Sequence, residues 1–124
     1  MTDAVLIERQ DPGILIVTFN QPHTLNAFST DMATALTNAL RTADSDDAIR
    51  VVVITGTGSA FCAGADFSKG SGVFAAPATE TFSSDPLDDF HPWECRKPVI
   101  AAINGHAVGV GLTMTLQCDI RIVA

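Results

Sequence analysis

Two short apolar runs near the start of the chain, "AVLIER" and "ILIVTF", flank the polar stretch "QDPG". Pro12 and Gly13 suit a tight turn, so residues 4 to 19 predict a β-hairpin with strands near 4 to 9 and 14 to 19. "NQPHTLNAFS" then interrupts the pattern, and beyond it the period lengthens. Met32, Ala35, Leu36, Ala39, Leu40 and Ala43 recur at three- and four-residue steps, the spacing of one helix face. Ser29 is a suitable N-cap, and Asp31 falls in the first turn, where the helix dipole favours negative charge. The spacing therefore predicts an amphipathic helix over 29 to 44, with "DSDDAI" as the loop after it. "RVVVITG" is a β-branched run closed by Gly56, which predicts a strand near 50 to 55 buried on both faces. A helix between two such strands predicts a βαβ crossover.

The second half carries less periodicity and more glycine. "TGSAFCAGADFSKG" is small and glycine-rich, and residues 71 to 90 mix Pro, Ser, Thr and Asp without a repeat, which predicts a long mobile loop. That loop, with Phe74, Phe82, Pro86 and Phe90, reads either as a lid or as a disordered surface segment. "KPVIAAIN" predicts another buried strand near 98 to 103, Asn104-Gly105 a turn, "GVGLTMTLQCD" the start of a helix, and "IRIVA" a last strand. No internal repeat is present. The chain stops at Ala124, straight after an apolar strand, which leads us to expect the N-terminal part of a longer domain.

Composition narrows the class. A chain of 124 residues is one domain or part of one, and a hydrophobic fraction of 47% with 17% charged residues suits a packed core rather than disorder. Seven Lys and Arg against 14 Asp and Glu give a net charge of -7, which disfavours nucleic acid as a partner. Cys62, Cys95 and Cys118 are odd in number and widely spaced, so neither a disulfide framework nor a zinc site is expected. The first residues lack the basic-then-apolar pattern of a secretory signal, and no apolar run nears the ~20 residues of a membrane span. A cytoplasmic location, with no membrane association, is the expectation.

"AINGHAVGVGLTMTLQCD" (residues 102 to 119) places Gly105, Ala107, Gly109 and Gly111 where a helix begins. The spacing is not the GxGxxG of a dinucleotide fold and comes too late in the chain for one. Neither GxxxxGK[ST] nor GxSxG is present, and none of His23, His91 and His106 has a Ser or Cys nucleophile beside it. One such segment would suggest only close packing of strand, turn and helix. There are two: "AFCAGADF" after "VVVITG", and "GHAVGVGL" after "PVIAAIN". Each can present bare backbone N–H groups at the end of a strand, and two N–H groups converging on one oxygen stabilise charge developing on a carbonyl.

"TLNAFS", "RVVVITGTGSAFCAGADF" and "KPVIAAINGHAVGVGLTMTLQCDIRI" occur in an order and spacing that resemble the enoyl-CoA hydratase/isomerase (crotonase) superfamily over essentially the whole chain. The resemblance implies an α/β fold, the crotonase-like (ClpP/crotonase) ββα spiral, here expected to lack its C-terminal helical part. It implies oxyanion-hole N–H groups at Ala63 and Val110, the latter a position where many members carry Gly. It also implies acyl-CoA binding by backbone around Leu25 and Ala27, around Ala63, Gly64, Ala65, Asp66 and Phe67, and around Gly109 and Val110. Asp66 reads equally as the N-cap of a short turn. Hydratases of the family carry Glu where this chain has Thr113, and a second Glu further on, beyond Ala124. Thr is no base near neutral pH, so Thr113 reads as a helix residue bonding back to the preceding turn.

The implied activity is enolate stabilisation on an acyl-CoA thioester in fatty-acid or related acyl-CoA metabolism, an isomerase or lyase being more natural than a two-Glu hydratase. The alternative is a non-catalytic or truncated module that binds acyl-CoA or oligomerises. Coenzyme A belongs to the substrate, so neither a separate cofactor nor a metal is expected, and homotrimers or hexamers are the implied assembly.

Overall fold

A computed structural model describes residues 3–65 and 90–124. The hairpin forms as β1 (Val5–Gln10) antiparallel to β2 (Ile14–Phe19), each strand within a residue of its predicted bounds. Helix α1 spans Thr30–Ser45, with the Ser29 hydroxyl accepting from the N–H of Met32 at 3.3 Å, the expected N-cap. Strand β3 (Val51–Gly56) then lies parallel to β2, so the β2–α1–β3 crossover is present. β4 (Ala60–Cys62), β5 (Val99–Ile103), β6 (His106–Ala107), α2 (Val110–Leu116) and β7 (Ile120–Val123) complete the order. Two sheets result: a main one in the order β1-β2-β3-β5-β7 and a small parallel pair of β4 and β6. Each of β3 and β5 belongs to the main sheet and is followed by a strand of the small one, and β5, β6 and α2 make one ββα unit among the described residues.

The core lies between α1 and the main sheet. Met32, Leu36 and Leu40 of α1 are fully buried against Leu15, Val17 and Phe19 of β2 and Val52 and Ile54 of β3, as one apolar cluster. Burying side chains of this size contributes about 1.5–3 kcal/mol each. Phe19 anchors the layer further, its ring edge-on to Phe28 at 6.3 Å and to Phe61 at 5.4 Å.

Two expectations change. β3 is not buried on both faces: Val52 and Ile54 are buried, whereas Val51, Val53 and Thr55 are half-buried, because α1 packs closely on only one side. β4 and β6 are strands that no periodicity announced, one of three residues and the other of two. The expected loop 71 to 90 lies outside the described residues except for Phe90, which packs on the core beneath the Arg41 guanidinium, 5.1 Å from its ring centroid. Asp66 and Phe67 also lie outside them.

Candidate active site

Three loops meet at the end of the sheet where β2, β3 and β5 finish. The first follows β2. Its Pro22–Thr24 turn of 3-10 helix runs into Leu25 and Asn26, both in the left-handed region at φ 55°. A leucine there is strained, and it is held by its N–H to the Pro22 carbonyl at 3.1 Å and by its carbonyl, which accepts from Ala63 N–H at 3.1 Å. Asn26 is completely buried, and its amide is saturated. Its Oδ1 accepts from Gln21 N–H at 2.8 Å, and its Nδ2 donates to the carbonyls of Thr57 at 3.0 Å and Ala60 at 2.9 Å. Phe28 N–H donates to the Gly64 carbonyl at 2.6 Å, making an isolated parallel bridge with Ala65.

The other two loops are the glycine-rich ones, and the glycines divide by purpose. A Cβ on Gly105 would sit 2.0 Å from the Ser59 carbonyl oxygen, and one on Gly111 would sit 2.1 Å from that of Cys62. These two glycines exist for close approach: they let the turn after β5 and the start of α2 lie directly on β4. Gly64 and Gly109 differ, with φ of 105° and 58°, conformations that L side chains rarely adopt. A Cβ on Gly109 would lie 3.7 Å from the Gly64 Cα, so the two segments touch at this pair.

The residues immediately after that contact are Ala65 and Val110. Val110 is the first residue of α2, where an N–H has no intrahelical acceptor. Neither its N–H nor that of Ala65 meets an acceptor among the described residues. Ala63 is different. Its N–H, expected as an oxyanion donor, already donates to the Leu25 carbonyl; the turn at Gly64 re-aims the backbone, and the unused N–H comes two residues later. Leu25, Ala27, Ala63, Gly64, Ala65, Gly109 and Val110 are thus brought into one region, with Leu25 and Ala63 bonded to each other.

Neither segment 60–65 nor 105–113 contains a carboxylate. Thr113 is exposed and its hydroxyl donates to the Gly109 carbonyl at 3.1 Å, the expected bond back to the preceding turn. His106 is exposed on β6. Burial raises the Cys62 thiol, which leaves it protonated and inert beneath Gly111. Among the described residues no cluster of His, Cys, Asp or Glu could hold a metal ion. Sequence reasoning missed the buried Asn26 and did not show that the Ala65 N–H is left without an acceptor among the described residues. The former sits inside "TLNAFS", where an Asn after an interrupted apolar pattern is the usual sign of a left-handed turn residue.

The family model described as enoyl-CoA hydratase/isomerase matches residues 9–124. The chain is 42% identical over 122 residues to the probable enoyl-CoA hydratase echA14 of Mycobacterium tuberculosis, covering 97% of this chain and 46% of that protein. The crystal structure of a probable enoyl-CoA hydratase/isomerase from Mycobacterium abscessus superposes with a TM-score of 0.84 at 41% identity, over 97% of this chain and 45% of that one. A monofunctional enoyl-CoA isomerase from M. smegmatis superposes with a TM-score of 0.78 at 33% identity, over 98% of this chain and 50% of that one. The chain spans less than half the length of the curated relatives it matches.

Proposed function

The chain belongs to the enoyl-CoA hydratase/isomerase family, and from that membership we propose that it holds the thioester carbonyl of an acyl-CoA between the N–H groups of Ala65 and Val110. The observation that carries this reading is that both donors lack an acceptor among the described residues, immediately beyond the glycine contact that joins their segments. Two fixed dipoles aimed at one oxygen stabilise the charge that grows there when a proton leaves the carbon beside the thioester or a nucleophile adds to the conjugated double bond. The enolate is common to hydration and to isomerisation, so the pair alone does not choose between them.

The proton carrier must be a side chain, and near the glycine turns the candidates are His106, Thr113 and Asp66, the last expected to cap a turn. Thr113 cannot act as the base near neutral pH. This favours isomerase or lyase chemistry, with one acid supplied from outside these two segments, over a hydratase that positions water between two carboxylates. The missing Glu at Thr113 also supports a second reading, a module that binds acyl-CoA without turning it over. In either case the substrate brings its own coenzyme A, and we place the protein in the cytoplasm as a homotrimer or hexamer acting in fatty-acid or related acyl-CoA metabolism. Among the described residues no helix is long and apolar enough to cross a membrane.

Crotonyl-CoA labelled with carbon-13 at the thioester carbonyl tests the pair directly. Bound between two donors, that carbon resonates downfield of its position in water. Val110→Pro removes one donor at the first helical residue, where proline's fixed φ and missing N–H are tolerated. The expected result is loss of the downfield displacement with the fold intact, and, in an active protein built on these residues, a fall of about 100- to 1000-fold in turnover. A wild-type carbonyl that binds without any displacement would refute the reading.

A further inference from the structure

Two asparagine amides converge on one backbone carbonyl behind the glycine segments. Asn26 Nδ2 donates to the Ala60 carbonyl at 2.9 Å, and Asn104 Nδ2 donates to the same oxygen at 3.2 Å. Both lone pairs of that buried oxygen are thereby used. Each amide also holds the rest of the turn between β3 and β4. Asn26 Nδ2 reaches the Thr57 carbonyl at 3.0 Å; Asn104 Nδ2 reaches that of Gly58 at 3.0 Å, while Asn104 Oδ1 accepts from Gly56 N–H at 3.1 Å. The turn 56–60 is therefore gripped from two sides, by the loop after β2 and by the loop after β5.

These are the loops that continue into the proposed donors. Asn26 stands between Leu25, whose carbonyl takes the Ala63 N–H, and Phe28, whose N–H takes the Gly64 carbonyl. Asn104 precedes Gly105, which lies against Ser59, and the chain then runs through β6 to Gly109 and Val110. Ala60 itself opens β4, opposite His106 of β6, and leads to Gly64 and Ala65. We propose that Asn26 and Asn104 are positioning residues that set the separation of the Ala65 and Val110 N–H groups through their shared bonds to the Ala60 carbonyl. The proposal rests on the oxyanion reading above and deepens it. An oxyanion pair works only when both donors reach one atom, and misplacement by about 1 Å costs on the order of 100-fold in rate. The sheet alone does not fix that separation, since β4 and β6 share only two residue pairs with a register shift between them.

The test is the carbonyl resonance of bound carbon-13 crotonyl-CoA in wild type, Asn26→Ala, Asn104→Ala and the double variant, with affinity and thermal stability measured on the same samples. We expect each single variant, saturated with thioester according to its measured affinity, to lose at least half of the downfield displacement. The double variant should lose little more than either single one, since both act on one oxygen. A role confined to stability would lower the melting temperature and leave the resonance of the folded protein unchanged, which would overturn the proposal. Full displacement in both single variants would do the same while leaving the oxyanion reading standing. No displacement in the wild type would remove both. Should Asn26→Ala fail to fold, Asn104→Ala decides, because Asn104 is only half-buried and its loss leaves the Asn26 amide in place.

Discussion

Gly111→Ala distinguishes close packing from ordinary helix preference by the sign of its effect. Gly111 is buried in the first turn of α2, and alanine in a helix is more favourable than glycine by about 1 kcal/mol. With free space around it the substitution would stabilise the protein. The structure predicts the opposite, since the new Cβ would stand 2.1 Å from the Cys62 carbonyl oxygen and 2.8 Å from the Cys62 Cβ. Ordinary carbon–oxygen contacts begin near ~3.3 Å, so α2 must withdraw from β4 by about 1 Å. Overpacking of this kind costs about 1–3 kcal/mol, the upper part of that range applying when the obstacle is backbone. The withdrawal also strains the Val108 N–H bond to the same carbonyl, 3.0 Å long, whose loss adds about 1 kcal/mol. Less the helix gain, the net destabilisation is about 2–3 kcal/mol, or a urea midpoint lower by about 1 M. Circular dichroism at the helix band against urea reads it. Cys62→Ala in the same chain should not rescue stability, because the closest atom is the carbonyl oxygen and not the thiol. A Gly111→Ala protein as stable as wild type would show that α2 does not lie on β4 as described.

The cysteines offer a chemical check. Burial pushes Cys118 up to about 12 and raises Cys62 and Cys95 as well, so iodoacetamide at about pH 8 should label none of the three in the native protein and all of them in urea; fast native labelling would refute their burial. Asp44 is held below its ordinary 3.8, first by the Arg96 N–H and then by the Arg96 guanidinium, so its contribution to stability is present above 3.8 and is lost as the pH falls through its lower folded value. Asp44→Asn should therefore lower the urea midpoint at pH 7, with a deficit that shrinks as the pH falls below 3.8, and a deficit that does not change with pH would refute the linkage. The 124 residues alone should leave the conjugated absorbance of crotonyl-CoA unchanged, whereas Thr113→Glu in an active protein built on them should raise hydration relative to isomerisation. Robust turnover by the 124 residues would redirect attention to His106.

The main sheet and α1 could be read from the chain because each has a repeat long enough to show its period. Six residues of β2 and six of β3 carry β-branched and apolar runs, and α1 carries seven buried positions on one face. β4 and β6 could not be read that way: "AFC" and "HA" are too short to have a period, and they are strands only because Gly105 and Gly111 let other backbone come within reach of β4. Glycine content suggested both close packing and exposed N–H groups, and both are present, on different residues. The distinction depends on φ and on neighbours remote in sequence, neither of which a residue letter records.

The same limit explains why the proposed donor lies two residues from the expected one. Ala63 and Ala65 are chemically alike, flank one glycine, and each carries an N–H at the end of a buried strand. What separates them is a carbonyl in another loop: Leu25, driven into the left-handed region, turns its oxygen onto Ala63 and takes that donor out of use. Leu25 keeps this strained conformation because its neighbour Asn26 saturates a buried amide on Gln21, Thr57 and Ala60. An unpaired amide there would cost about 1–3 kcal/mol, comparable to the strain it offsets. Which of the two N–H groups stays unused therefore depends on an asparagine that bonds to neither alanine. Since Asn104 reaches the same Ala60 oxygen from the other glycine loop, any change that frees Leu25 should be felt at Val110 as well.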